Sequence, residues 1–286
     1  MAFARVSSEG ITLATESFGS GERGTILLVM GATASMLWWP DTLCEALAAG
    51  GYRVIRFDHR DTGHSTTGAP GEIAYDLDDM VGDLLAILDH HAVPAAHLVG
   101  MSLGGLLGQI AAIAHADRVE SLTLIAAEPL GLEYEGSGMA PALLDQFGAL
   151  AELDWSDANA VAAFLFEIAR LSAGSAPGFD AEDARRRIAA EMARTASMQS
   201  AFNHALLKGD VAPGLTVGAI GQPVLVIHGT DDPVIAYAAA EATRRALPQA
   251  QIMTLEGRGH EIAPADVPAI GARILAFLGE AAPPRS

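Results

Sequence analysis

Residues 25–30, Thr-Ile-Leu-Leu-Val-Met, form an unbroken apolar run that stops at Gly31. A strand with no polar face is buried on both sides, which calls for a parallel sheet covered by helices above and below. The rest of the chain repeats the demand. Apolar strand signals at 52–57, 96–100, 121–127, 223–228 and 251–255 alternate with helical periodicity at 41–50, 76–90, 103–115, 235–247 and 264–278. Residues 11–18 alternate apolar and polar, like a half-wet strand. Strands spaced by helices predict right-handed βαβ crossovers and an α/β fold. The rhythm stops at Glu128-Pro129, and residues 130–215 read as glycine-punctuated helices (141–153, 158–171, 181–200) without a buried strand. The expected organisation is a core of residues 1–129 and 216–286 with a helical insertion at 130–215.

Composition narrows the partners. With 50% apolar and 18% charged residues, a chain of 286 can bury a large core and does not belong with disordered sequences. Seventeen basic against 35 acidic residues give a net charge of −18. Nucleic acids and anionic membranes need concentrated positive charge, so neither is expected as a partner; a small molecule is. The single cysteine, Cys44, excludes an internal disulfide and a cysteine-based zinc site. No apolar run approaches the roughly 20 residues of a membrane span. The first residues lack the apolar core of a signal peptide, so the expected location is the cytoplasm.

Gly100-Met101-Ser102-Leu103-Gly104 fits the pattern G-x-S-x-G, after a strand and before a helix. A serine on so sharp a turn is forced into strained dihedrals, and its neighbours two residues away must be small. The turn exposes the hydroxyl at the carboxyl end of the sheet, where open α/β sheets bind ligands. The following helix directs its positive end at the same place. A hydroxyl nucleophile needs a base, and in this arrangement the acid and then the histidine follow it along the chain. His260, between Gly259 and Glu261, comes just past the last strand. The acid falls in His228-Gly229-Thr230-Asp231-Asp232-Pro233, where Asp232 is the first choice, with Asp231 and the strand-ending Glu128 as alternatives.

On these segments the chain resembles the α/β-hydrolase family over nearly its whole length. The stretch 58–67, Asp-His-Arg-Asp-Thr-Gly-His-Ser-Thr-Thr, is most similar to the branch containing the aclacinomycin methylesterases. The resemblance implies an α/β-hydrolase fold with a helical cap, Ser102 as nucleophile, His260 as base and Asp232 as the acid that orients it. It also implies an oxyanion hole from the backbone N–H groups of Leu103 and Ala32. Met30-Gly31 stands where many relatives have His-Gly, leaving a less polar wall beside that hole.

The implied reaction is hydrolysis of neutral, apolar carboxylic esters through an acyl-serine, with no metal or organic cofactor. Perhydrolysis and carbon–carbon bond hydrolysis use the same residues, and a ligand-binding receptor on this fold is the non-enzymatic rival. The residues 58–64 are read as structural rather than as metal ligands. Gly31, Trp38 and Trp39 are candidate substrate contacts. Arg185, Arg186 and Arg187 read as a solvated helix face, and the charges of the insertion as outward-facing. Its phenylalanines and methionines are expected mainly in the core, with some facing an apolar pocket.

Overall fold

The computed structural model describes residues 2–5, 10–207 and 214–281. One eight-stranded sheet runs through it: β1 (Ala2–Arg5), β2 (Thr12–Phe18), β3 (Thr25–Val29), β4 (Arg53–Phe57), β5 (Ala96–Met101), β6 (Val119–Ile125), β7 (Val224–Gly229) and β8 (Gln251–Leu255), in the order β1-β2-β4-β3-β5-β6-β7-β8. The pairs β1–β2 and β2–β4 at one edge are antiparallel, and every pair from β4 to β8 is parallel. The helices are α1 (Asp41–Ala49), α2 (Leu77–His90), α3 (Leu103–Ala114), α4 (Pro141–Gly148), α5 (Ala158–Ser172), α6 (Ala181–Arg194), α7 (Met198–Ala201), α8 (Ala238–Ala246) and α9 (Val267–Ala281).

The strand residues divide by their two-residue period. Leu27, Val29, Leu122, Leu124, Val224 and Val226 face one layer, packed with α2, α3 and α8. Ile26, Leu28, Val99, Ile125, Leu225 and Ile227 face the other, packed with α1 and α9. Both faces of β3, β5 and β7 are therefore covered, as their unbroken apolar runs require. Each such leucine, isoleucine or valine contributes roughly 1.5–3 kcal/mol by leaving water. Among the described residues no helix is long and apolar enough to cross a membrane.

Helices α4 to α7 all lie between β6 and β7. The periodicity predicts one helix over 181–200, but the chain breaks between Arg194 and Met198. Ser197 causes the break: its hydroxyl accepts from the Ser200 N–H and caps a new short helix. The helix expected over 235–247 begins only at Ala238; before it, the Asp232 carboxylate takes the N–H groups of Val234 and Ile235 and holds a turn. The four-residue edge strand β1 is too short to show a period.

Candidate active site

Ser102 sits between β5 and α3 with φ 52° and ψ −119°, a backbone that L-residues rarely adopt. Close main-chain approach dictates its neighbours. A β-carbon at Gly100 would stand 2.3 Å from the Gly104 carbonyl oxygen, and one at Gly104 would stand 2.0 Å from the carbonyl oxygen of Val29. The turn is pinned by the Ser102 N–H donating to the Ile125 carbonyl at 3.0 Å, and by the Gly105 and Leu106 N–H groups donating to the Ser102 carbonyl. Sequence thus fixes the backbone, and the backbone fixes where the hydroxyl sits.

His260 follows β8 on a loop tied to the end of α5. Its N–H donates to the Ser172 carbonyl at 2.7 Å, and the Gly259 N–H donates to that of Ala173. The imidazole Nδ1 lies 2.8 Å from Asp232 Oδ2, so the ring donates from Nδ1 and leaves Nε2 as its basic nitrogen. The Asp232 side chain is fully buried. Its Oδ1 accepts from the Val234 and Ile235 N–H groups at 2.8 Å, and His228 Nε2 stands 3.4 Å from Oδ2 while donating to the Ile235 carbonyl. Burial alone would raise this carboxyl. The hydrogen bonds from His228, His260 and Ile235 outweigh burial and hold it well below the usual carboxylate range. Asp232 is therefore ionised at ordinary pH.

The alternative acids point elsewhere. Asp231 accepts from Ser175 and Thr230 side chains, and Glu128 accepts from the Tyr134 hydroxyl at 3.0 Å. The residues 58–64 are also spent on structure. Asp58 takes both nitrogens of Arg194 at 2.8 Å and the N–H groups of Met36 and His64, while Arg60 makes a two-pronged pair with Asp83. Among the described residues no group of three or more His, Cys, Asp or Glu side chains is placed to hold a metal ion.

Ser102 and His260 open on one cavity of about 450 Å³, whose walls include Met30, Gly31, Ala32 and Trp38 from the core and Phe147, Leu165, Phe179 and Phe202 from the segment between β6 and β7. Trp39 is corrected: it is fully buried in the core with Leu43 and Ile270 and contributes no wall. Trp38 closes the short 3-10 turn Met36–Trp38, and Trp39 has already left it in an extended backbone (φ −82°, ψ 107°), so the two rings go to different places.

The loop from Met30 to Ser35 is gripped by side chains. His59 Nε2 donates to the Met30 carbonyl at 2.9 Å. The Thr33 N–H, at φ 65°, donates to His204 Nδ1 at 3.0 Å, and His204 Nε2 donates to the Arg60 carbonyl. The Ser35 hydroxyl donates to Glu191. Burial pushes His59 down to about 3, assisted by His204, and burial lowers His204 as well. His59 is therefore neutral at ordinary pH, and His204 is neutral because its Nδ1 accepts from Thr33. Burial raises the Glu191 carboxyl to about 7 against the Ser35 hydrogen bond, and burial raises Glu261 to about 7 against the attraction of Arg187.

The expectation that the charges of the insertion face outward fails on α6. Arg187 and Glu191 both line the cavity, as does Glu261. Their positions give the reason: Ala184 and Ile188 are buried, and 187 and 191 share that stripe at helical spacing. The same spacing was the available signal. His204 and His228 carried no comparable mark in the sequence, because their roles depend on partners 171 residues away (Thr33) and on a turn four residues on.

Comparison with known proteins agrees with this fold. A family described as the alpha/beta hydrolase fold matches residues 24–264. A rhodomycin D methylesterase of Streptomyces peucetius is 31% identical over 274 residues, spanning 90% of this chain and 91% of the relative. A 3-oxoadipate enol-lactonase of Acinetobacter baylyi is 27% identical over 82% of this chain and 80% of its own. Among solved structures, an esterase from Rhodococcus sp. ECU1013 superposes with a TM-score of 0.77 at 25% identity, covering 98% of this chain and 99% of that one.

Proposed function

The chain belongs to the α/β-hydrolase family, and from that premise we propose that it hydrolyses uncharged carboxylic esters, methyl esters of bulky acids included, through an acyl-serine intermediate. The observation that carries the reading is the 2.8 Å contact of His260 with a buried, ionised Asp232, on a cavity that Ser102 shares. In this reading residues 1–129 and 216–286 are the core and 130–215 the cap.

His260 Nε2 takes the proton of Ser102, whose oxygen attacks the ester carbonyl. Asp232 holds the ring in the tautomer that accepts there and stabilises the imidazolium without becoming protonated. The oxyanion is received by main-chain N–H groups of Leu103 and Ala32. Leu103 opens α3, so its N–H has no intrahelical carbonyl to serve, and the helix end adds positive potential. Loss of one such donor costs about 3 kcal/mol of transition-state stabilisation. His260 then protonates the leaving alcohol, and a water it activates releases the acid.

A fluorophosphonate probe followed by peptide mapping tests the nucleophile, with a panel of methyl and p-nitrophenyl esters for turnover. The expected result is labelling at Ser102, abolished in Ser102→Ala, together with ester turnover. An unlabelled, folded protein would favour a binding protein on this fold. Labelling without turnover of any ester would move the reaction to another acyl substrate.

A further inference from the structure

Arg187 is placed oddly for a structural arginine. It lies on the cavity wall with its side chain 14% exposed, and its guanidinium carbon stands 4.8 Å from the ring centre of Trp38, another wall residue. Asp183 Oδ2 comes within 2.8 Å of Nε, but the approach is not along the N–H, and the buried Nε has no hydrogen bond. Among the described residues no carbonyl, hydroxyl or carboxylate takes a hydrogen bond from any of its nitrogens. A guanidinium carries five N–H donors in a rigid fork. Only Nε is buried without an acceptor, at a cost on the order of 1–3 kcal/mol; the two terminal nitrogens keep accessible surface and have no acceptor among the described residues, so an incoming oxygen can reach them.

We propose that Arg187 determines specificity by donating hydrogen bonds to an uncharged oxygen, a ketone or phenol, carried on the acid half of the ester away from the scissile group. The proposal rests on the ester-hydrolase reading and names its substrate class. The charge around the fork decides against an anion. Asp183 already faces the guanidinium, Arg186 shares that carboxylate from the outside, and Glu261 and Glu191 add acidic groups to the same wall. Above about pH 7, where Glu261 and Glu191 are both ionised, a carboxylate on the substrate would meet no net positive charge there, whereas a neutral acceptor needs only the donors. The remaining wall, with Trp38, Phe147, Phe179 and Phe202, suits the flat hydrocarbon body of such a molecule.

Three compounds of one shape test this: methyl 6-acetyl-2-naphthoate, methyl 6-isopropyl-2-naphthoate, and the monomethyl ester of naphthalene-2,6-dicarboxylic acid. The expected order of kcat/KM is acetyl, then isopropyl, then carboxylate. Arg187→Met should lower the acetyl-to-isopropyl ratio by roughly tenfold or more, since a site built to bond an oxygen discriminates strongly against its absence. A merely structural arginine would lower both rates together and leave the ratio intact, which overturns the proposal. A wild-type preference for the carboxylate overturns its uncharged part. If melting shows that Arg187→Met does not fold, Arg187→Gln, too short to reach, takes its place. Should the wild type cleave none of the three, the ester reading is what fails. Recognition is then read by calorimetry on Ser102→Ala: tighter acetyl binding that is lost with Arg187→Met supports the role, and equal binding overturns it.

Discussion

The sheet side of the cavity and the insertion side are held by different kinds of contact. On the sheet side the main chain does the positioning. Ser102 is placed by a turn whose glycines touch neighbouring carbonyls, and His260 is placed by N–H groups bonded to the end of α5. On the insertion side many of the bonds that cross to the core are made by side chains, among them His204 to Thr33, Glu191 to Ser35, Arg194 to Asp58 and Asn203 to Asp61. Main-chain placement tolerates little variation and suits groups that must meet reacting atoms. Side-chain bonds are exchanged residue by residue, which suits a surface that adapts to its ligand. If the contrast holds, substitutions on the sheet side abolish the chemical step, and substitutions on the insertion side change its rate or its selectivity by less.

The largest effects are expected on the sheet side. Ser102→Ala and His260→Ala should each lower kcat by roughly 10⁴-fold or more, with an unchanged circular-dichroism spectrum, because the three groups act as one unit. Retained turnover above a tenth of wild type would break the comparison at its first term. Asp232→Asn follows at roughly 10³–10⁴-fold, since an amide can hold the ring in the wrong tautomer. Asp231→Asn and Glu128→Gln, whose carboxylates bond Ser175 and Tyr134 instead, should change kcat by less than about threefold. A severe Glu128→Gln variant would mean that the acid comes from the end of β6.

The same contrast explains what could be read from sequence. Apolar runs at 25–30 and 223–228 announce doubly covered strands because burial on both faces leaves no other pattern. Gly100 and Gly104 announce the turn because nothing larger fits against Val29 and each other. The order of Ser102, Asp232 and His260 follows from the topology. The insertion gave up less. Arg187 and Glu191 sit among alanines and arginines on α6, and only their spacing from Ala184 and Ile188 marks them as inward. His204 could not be found at all, since its role is defined by a hydrogen bond to a loop near the other end of the chain. Long-range side-chain partners are set by packing, which single-residue patterns do not encode.

An intermediate effect is expected where the two sides meet. His204 holds the N–H of Thr33, one residue beyond the Ala32 N–H proposed to receive the oxyanion. His204→Phe keeps the ring but removes the acceptor, so the loop can relax from its φ of 65° at Thr33. The expected outcome is a roughly tenfold to hundredfold loss in kcat with KM within about threefold, as for a weakened oxyanion donor. His204→Asn, whose carbonyl oxygen can replace Nδ1 as acceptor, should recover most of the rate. Equal losses in both variants, or a loss confined to KM, would show that His204 only fills space.

The last effect is on stability alone, leaves the chemical step untouched, and separates the Glu191 bond from the His204 bond. Burial raises the Glu191 carboxyl from 4.5 to about 7. Asp58 pushes the same way, while Ser35, Arg194 and Thr195 pull it down. Between those two values the folded protein keeps a proton on Glu191 that the unfolded chain has lost. Stability then falls as pH rises, since the folded state binds more protons. The neutral histidines His59 and His204 contribute with the opposite sign over an overlapping range, so the wild-type curve alone would mislead. The difference between wild type and Glu191→Gln removes them. Glutamine matches the protonated acid, so the two proteins should be nearly equal in stability near pH 4. The variant should gain on the wild type as pH rises and level off above about pH 7, ahead by something on the order of 3 kcal/mol. Denaturant unfolding at a series of pH values reads this directly. A gap that does not change from about pH 4 to about pH 9 would mean that Glu191 ionises as an ordinary surface carboxylate, and that its bond to Ser35 does not hold the insertion against the loop of Ala32.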